Sequence, residues 1–219
     1  MGAATVILLA SAATACTSGE KDAGAKGGKS EHSDSLTPLA ETCGGIVNGS
    51  TRSEISSKLK TDRVYWYGAA EGTAPAEPAK VAEVLSRGMD RRFSYNSTCG
   101  FGRSASDDVA VNIWLDWWPE TFEHVRGKIQ GTSAAYDLTS GEPRLARMFV
   151  DCQRPDLVEP DKEMDLLRVV IDDRLQLSSK SRVRLLNAAA SQVIEFMDCK
   201  NKVTLPTVDA VVQVDPRLK

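Results

Sequence analysis

Residues 109–117 read VAVNIWLDW, and this stretch decides the fold class of the chain. Apolar side chains occupy every second position, at Val109, Val111, Ile113, Leu115 and Trp117. Successive side chains of a strand point to opposite faces, so this period of two predicts an antiparallel strand with one buried face. Trp114 is then expected on the face opposite to Trp117.

Other segments extend the same sheet. Residues 145–152 and 166–172 also alternate and predict two further strands, while residues 63–67 and 93–101 are typical of shorter ones. Residues 203–214 favour an edge strand. Loops rather than regular crossover helices join successive strands, which indicates an antiparallel sheet.

Helical spacing predicts three helices, at residues 51–60, 77–90 and 179–198. Ser50 or Thr51 is expected to cap the first helix, and Ser178 or Ser179 the last. Residues 119–143 are ambiguous and contain at most a short helix at 122–129. We expect an α+β domain in which an antiparallel sheet is flanked by helices, like an αβα sandwich with two disulfides.

A mostly apolar run of about 13 residues, 3–15, directly precedes Cys16. It is shorter than the roughly 20 residues of a membrane-spanning helix and is typical of an export signal. The small residues before Cys16 resemble the bacterial lipobox, in which the cysteine receives a lipid on its sulfur. We therefore expect a signal peptide at 1–15, lipidation at Cys16, and anchorage at the extracellular face of the cell membrane. The residues before the run lack Lys or Arg, so we expect the true start upstream.

Composition separates the rest of the chain into two parts. Residues 16–40 contain few apolar side chains, which favours a flexible tether, and residues 41–219 are long enough for a single domain with its own core. The net charge is −3, and no basic block is present. Nucleic acid is therefore not an expected partner.

The expected domain has four cysteines, Cys43, Cys99, Cys152 and Cys199. An even number in an exported chain predicts disulfides, and four cysteines allow three pairings. We favour Cys43–Cys99 and Cys152–Cys199, because each bridge then joins elements of one half of the domain. No CxxC pair and no His beside a Cys occurs in the sequence, so neither a metal site nor a cofactor is expected.

The chain resembles the uncharacterised secreted lipoproteins of actinobacteria, especially those of Streptomyces type. The segments that carry the resemblance are Cys43-Gly44-Gly45, Thr98-Cys99-Gly100, Tyr136-Asp137-Leu138, ARMFVDC at 146–152 and LLNAAA at 185–190. The resemblance covers most of the mature chain and implies a structural framework but no activity. More distantly, the layout resembles the Mog1/PsbP-like αβα sandwich, which is a fold analogy only.

Acid–base chemistry has few candidate residues. Asp107-Asp108 and Asp172-Asp173 are carboxylate pairs at strand ends, where we expect them to be solvated, and His124 lies in an amphipathic segment. A cell-envelope hydrolase would need two such groups to converge in a cleft. We expect a protein without enzymatic activity and keep the envelope hydrolase as the alternative.

Tryptophans give the one indication of a binding surface. Trp114, Trp117 and Trp118 lie at one strand end, and Trp66 belongs to a second aromatic group. Exposed aromatic rings bind sugar faces or partner proteins, whereas helices that cover them would make them core residues. We interpret the chain as a membrane-anchored surface lipoprotein that binds an envelope protein or a cell-wall ligand.

Overall fold

The computed structural model describes residues 36–67, 77–87, 96–104, 109–138, 142–157 and 166–214. The strands are β1 (Thr37–Pro38), β2 (Arg63–Tyr67), β3 (Asn96–Gly102), β4 (Val109–Trp118), β5 (Ala134–Asp137), β6 (Leu145–Val150) and β7 (Leu166–Asp173). The helices are α1 (Gly49–Leu59), α2 (Pro78–Leu85), α3 (Ser179–Ile194) and α4 (Val208–Val214), with short 3-10 helices at Thr42–Gly45 and Pro155–Leu157.

The strands form one sheet in the order β1-β2-β3-β4-β7-β6-β5. Every pair is antiparallel, and β4 lies at the centre between β3 and β7. The register places Trp117 opposite Leu167 and Trp114 opposite Val170. The predicted antiparallel sheet with packed helices is therefore confirmed.

One face of the sheet holds the main core. Val111, Ile113 and Leu115 of β4 are fully buried there, and Trp117 is 1% exposed. The Trp117 indole N–H donates to the backbone oxygen of Leu85 at the end of α2, at 2.9 Å. The alternation of apolar side chains in β4 thus identifies the face of the strand that the helices cover.

Helix α3 is the longest helix in the described part of the chain, and α1, α2 and α4 pack against it. Ser178 caps its first turn by accepting from the Ser181 N–H, as the sequence predicted. All four described helices bury side chains in the core cluster of one sheet face. The described residues therefore form two layers, with no helix on the second face.

The second sheet face has a smaller apolar cluster of Val125, Ala135, Phe149 and Leu166, against which Trp118 and Phe122 pack. Beside this cluster Arg168 donates through Nε to Asp116 at 2.7 Å, and its guanidinium lies 4.1 Å from the centre of the Trp118 ring. Arg168 thus pairs with the buried charge of Asp116, and the Trp118 ring stabilises the guanidinium by a cation–π contact.

Two predicted elements are wrong. Residues 122–129 form turns, and the nearby regular element is strand β5, which the sequence analysis missed. Residues 203–214 contain helix α4 in place of an edge strand. Because Val211 is buried against the helical layer, packing on α3 overrides the strand propensity of this valine-rich segment.

Several boundaries also differ from the prediction. The N-cap of α1 is Asn48, not Ser50 or Thr51, and α3 ends at Ile194. The structure describes α2 as Pro78–Leu85, and residues 88–95 lie outside the described residues. Strand β6 ends at Val150, before the disulfide-bonded Cys152.

The sheet begins within the range that the sequence assigned to the tether. Thr37 and Pro38 pair with β2, and Leu39 is fully buried. An edge strand of two residues that contains proline presents few free backbone groups for further pairing. Residues 1–35, which include the predicted signal and Cys16, lie outside the described residues.

Both favoured disulfides are confirmed. Cys43–Cys99 joins the first 3-10 helix to β3, and Cys152–Cys199 joins the segment after β6 to the segment after α3. The Cα atoms of the two pairs are 5.2 and 5.1 Å apart. The bridges close loops of 56 and 47 residues, and in the chain-entropy model each stabilises the fold by about 4 kcal/mol.

A carboxylate of α1 holds the start of α3. Glu54 accepts from the Ser178 N–H at 2.6 Å, from Ser178 Oγ at 2.7 Å and from Ser181 Oγ at 2.6 Å. Partial burial by itself would raise the pKa of Glu54, but the bonds from Ser181 and Ser178 outweigh it and lower the pKa below the usual 4.5. The negative charge of Glu54 also interacts favourably with the partial positive charge at the N-terminus of α3.

Replacing both Cys43 and Cys99 by Ala should lower the free energy of unfolding by about 4 kcal/mol, because the unfolded chain regains the entropy of the open loop. Urea unfolding of the oxidised protein measures this change. The Cys16→Ser variant is the control and should unfold at the wild-type urea concentration. A free thiol at any of the four bridged cysteines in the unfolded, unreduced protein would contradict the pairing.

Glu54→Gln should destabilise the protein by about 1 kcal/mol at pH 7, because bonds to a half-buried, partly screened carboxylate are lost. The Glu54 pKa is lower in the folded state, so its contribution is present above pH 4.5 and disappears as the pH falls through the folded-state value. Wild type and variant should therefore converge in urea unfolding once the pH lies below the folded-state pKa of Glu54. Glu195→Gln, at an exposed residue after α3, is the control and should change the free energy of unfolding by less than about 0.5 kcal/mol at pH 7.

Candidate functional site

A pocket of about 140 Å³ lies on the helical side of the sheet, beside the Cys43–Cys99 disulfide. Its walls come from five separate parts of the chain: the first 3-10 helix, β2, the start of α2, β3 and the later turns of α3. The lining residues are Cys43, Gly44, Ile46, Trp66, Glu77, Pro78, Cys99, Ala189, Gln192 and Val193.

The backbone of the 3-10 segment shapes one wall. Cys43, Gly44 and Gly45 have φ values of 56°, 65° and 80°, so three successive residues adopt left-handed conformations. The φ of Gly44 would strain any residue with a side chain, and an added Cβ would lie a tight 3.2 Å from Nε2 of the Gln192 side chain. Gln192 in turn donates to the Gly44 carbonyl at 2.8 Å, which joins this wall to α3.

Trp66 provides the main aromatic surface of the pocket. It is half-buried on the helical side of β2 and packs against the core cluster. Its indole N–H is buried and has no hydrogen-bond partner among the described residues. A buried donor without a partner is unfavourable, and the tryptophan N–H can only donate.

Polar side chains lie at the edge of the pocket. Glu77 is exposed just before α2, and Gln192 is half-buried on α3. The rest of the lining is apolar, formed by Ile46, Pro78 and Val193 with the disulfide. Such a surface favours contact with an uncharged apolar group, and the lining residues that the structure describes include no paired acid and base.

The predicted tryptophans do not share one surface. Trp66 lines the pocket, while Trp114 and Trp118 are half-buried on the opposite face of the sheet. The suggestion that Trp117 contacts a ligand is wrong, because its side chain is 1% exposed and its N–H bonds to Leu85. Neighbours along a strand alternate in direction, so a run of tryptophans is divided between two faces.

The acid–base candidates take part in separate contacts. Asp173 is fully buried, against the expectation that it is solvated, and accepts from Arg182 Nε and from the Leu175 and Leu177 N–H groups. Asp172 lies 3.4 Å from Arg144.

Of the remaining acid–base candidates, the structure describes only His124. His124 is exposed and its Nδ1 lies 3.1 Å from the Thr121 hydroxyl. Asp107 and Asp108 lie outside the described residues. Each described candidate thus makes its own separate contacts. Asp173 accepts from turn N–H groups and Arg182, Asp172 lies beside Arg144, and His124 contacts Thr121.

The described residues contain neither a metal-ligand cluster nor a membrane-spanning helix. Within them, no group of three or more His, Cys, Asp or Glu side chains could hold a metal ion. In the same ranges, no helix has the length and apolar content needed to cross a membrane.

Sequence reasoning found Trp66 but missed the residues opposite it. Gln192 and Val193 lie more than 120 positions further along the chain, and nothing local in their helix indicates a pocket. The one available signal was Gly44-Gly45 after Cys43, since paired glycines indicate a backbone that needs left-handed conformations.

The chain was compared with family models, with curated proteins and with solved structures, and none matches it. The resemblance to actinobacterial lipoproteins and the Mog1/PsbP-like fold analogy therefore remain predictions from the sequence.

Substituting phenylalanine for two tryptophans should separate their roles. Trp117→Phe should destabilise the protein by about 2 kcal/mol, because it leaves the buried Leu85 carbonyl unpaired and creates a cavity. Trp66→Phe should cost less than about 1 kcal/mol, since lost packing is offset by removal of an unpaired donor. Urea unfolding measures both values, and an equal loss in the two variants would contradict the unpaired state of the Trp66 N–H.

Proposed function

We propose that this chain is a lipid-anchored surface protein of the bacterial cell envelope that binds an envelope partner or ligand and has no enzymatic activity. The observation that carries the proposal is the apolar Trp66 pocket, whose lining offers a binding surface without a convergent acid and base. Binding sites of this kind combine apolar walls with a few polar groups.

Export is supported by the disulfides. Cys43–Cys99 and Cys152–Cys199 join segments far apart in the chain, and such bridges persist in oxidising compartments outside the cytosol. The apolar run before Cys16 supports the same location. Lipidation of Cys16 would place the domain at the outer surface of the membrane.

The proposed anchor limits where a partner can be. Strand β1 begins at Thr37, 21 positions after Cys16. A chain of that length spans at most about 70 Å when fully extended. A partner or ligand of the anchored domain would therefore lie in the membrane-proximal part of the envelope.

Catalysis by an envelope hydrolase finds less support. Such an enzyme needs titratable groups that meet in a cleft, whereas buried Asp173 is held by Arg182 and exposed His124 contacts Thr121. Among the described residues, the pocket lining contains a single carboxylate, Glu77. Binding without chemistry is the function that these contacts favour.

Cys16→Ser should abolish lipidation and release the protein from membranes, because the sulfur that would carry the acyl chain is gone. Cells grown with an alkyne-bearing palmitate analogue should label the wild-type protein in the membrane fraction, and the variant should be unlabelled and soluble. Ser18→Ala, two positions further on, is the control and should behave like wild type. A wild-type protein that retains residues 1–15 and carries no fatty acid would contradict the proposal.

A further inference from the structure

We propose that the Trp66 pocket binds a small amphiphilic cation, with one ring-sized apolar group inside the pocket and the positive charge at the rim beside Glu77. This inference rests on the proposed binding function and names the ligand class of the same site. It joins three observations: the volume of the pocket, the apolar character of its walls, and one exposed carboxylate among the described lining residues.

The volume of the pocket limits the group that enters it to a single ring or a short branched chain. This volume is about 140 Å³. An apolar protein cavity of about 150 Å³ holds one benzene molecule, whereas pockets for drug-sized ligands have about 300–1,000 Å³. Any further part of the ligand therefore stays outside the pocket.

The walls accept an apolar group but not a charge. Ile46, Pro78 and Val193 present apolar surface, and the Cys43–Cys99 bridge adds two uncharged sulfur atoms. A charge placed against these walls would lose its hydration with no buried partner of opposite charge among the described lining residues. The charged group of the ligand is therefore expected at the rim, where it keeps its water.

Glu77 at the rim decides the sign of that charge. It is the N-cap residue of α2, but its side chain makes no capping hydrogen bond, so the helix start does not occupy this exposed carboxylate. Lys80 in the first turn of α2 is exposed and is not part of the pocket lining. The carboxylate therefore attracts a cation at the rim and repels an anion.

Gln192, the other polar side chain of the described lining, belongs to the wall itself. It donates to the Gly44 carbonyl at 2.8 Å, and the neighbouring Cys43 is bonded to Cys99 of β3. These links join the 3-10 segment to α3 and to the sheet before any ligand binds. A preformed wall lowers the ordering cost of binding and favours measurable affinity for even a small ligand.

The test uses three probes that share a phenyl ring with a one-carbon substituent and differ in charge. Benzylamine is a cation at pH 7, benzyl alcohol is neutral and benzoate is an anion. Each is titrated into the full chain at low salt, and the ¹³C-methyl NMR signals of Ile46 and Val193 report occupancy of the pocket through the ring current of the probe. Benzylamine should bind about tenfold more tightly than benzoate, with benzyl alcohol between them, because attraction and repulsion by Glu77 act in opposite directions.

Two matched variants locate the effect. Glu77→Gln removes the charge and keeps the shape of the side chain, so the three probes should then bind within about twofold of one another. Glu123→Gln changes the net charge by the same amount at an exposed residue outside the pocket lining, and it should keep the preference of the wild type. High salt should also reduce the preference of the wild-type chain, and this measurement needs no variant.

Three results would overturn the inference: no shift of the Ile46 and Val193 signals with any probe, equal affinity of the wild-type chain for benzylamine and benzoate, or a preference that survives Glu77→Gln. The first result would also remove the observation that carries the proposed function. The other two reject only the ligand class, because a probe then still occupies the pocket. Lipid labelling of Cys16 tests the membrane anchor separately.

Discussion

Strand β4 has to bury one of its faces, and the rest of the domain is arranged around this requirement. Val111, Ile113, Leu115 and Trp117 lie fully or almost fully buried at the centre of the sheet. Each side chain of this size stabilises the fold by about 1.5–3 kcal/mol when it is removed from water. Because β3 and β7 occupy both edges of β4, other elements can cover its apolar side chains only by packing on a face of the sheet. The described helices pack on the face that carries Val111, Ile113, Leu115 and Trp117.

Polar cross-links then fix the helices over the sheet. Buried Arg154 donates to Asp156 at 2.7 and 3.0 Å, to Ser86 after α2 at 3.0 Å, and to the Met197 carbonyl after α3. The hydrogen bonds from Arg154 are the main reason that the pKa of Asp156 is lowered to about 2. Together with Glu54 at the start of α3, these contacts hold both ends of the helix that forms one side of the pocket.

The two sheet faces therefore have different chemical characters. On the helical face, packing is complete around Trp117 but leaves space near Cys43–Cys99, where Trp66 lacks a partner for its N–H. On the other face, Arg168 satisfies Asp116 and covers Trp118. The small unfilled space beside the Cys43–Cys99 disulfide is the reason that we propose binding on the helical side.

The sequence by itself determined the main strands, the long helix after Ser178 and the set of bridged cysteines, because alternation and helical spacing report burial within one segment. The tertiary structure decided what depends on contacts between distant segments. It made residues 208–214 a helix packed on α3, placed Trp117 in the core, and brought Trp66 beside Val193. The local sequence around a tryptophan is the same whether or not its N–H has an acceptor. The acceptor comes from residues far away along the chain, so only the tertiary structure shows whether one is present.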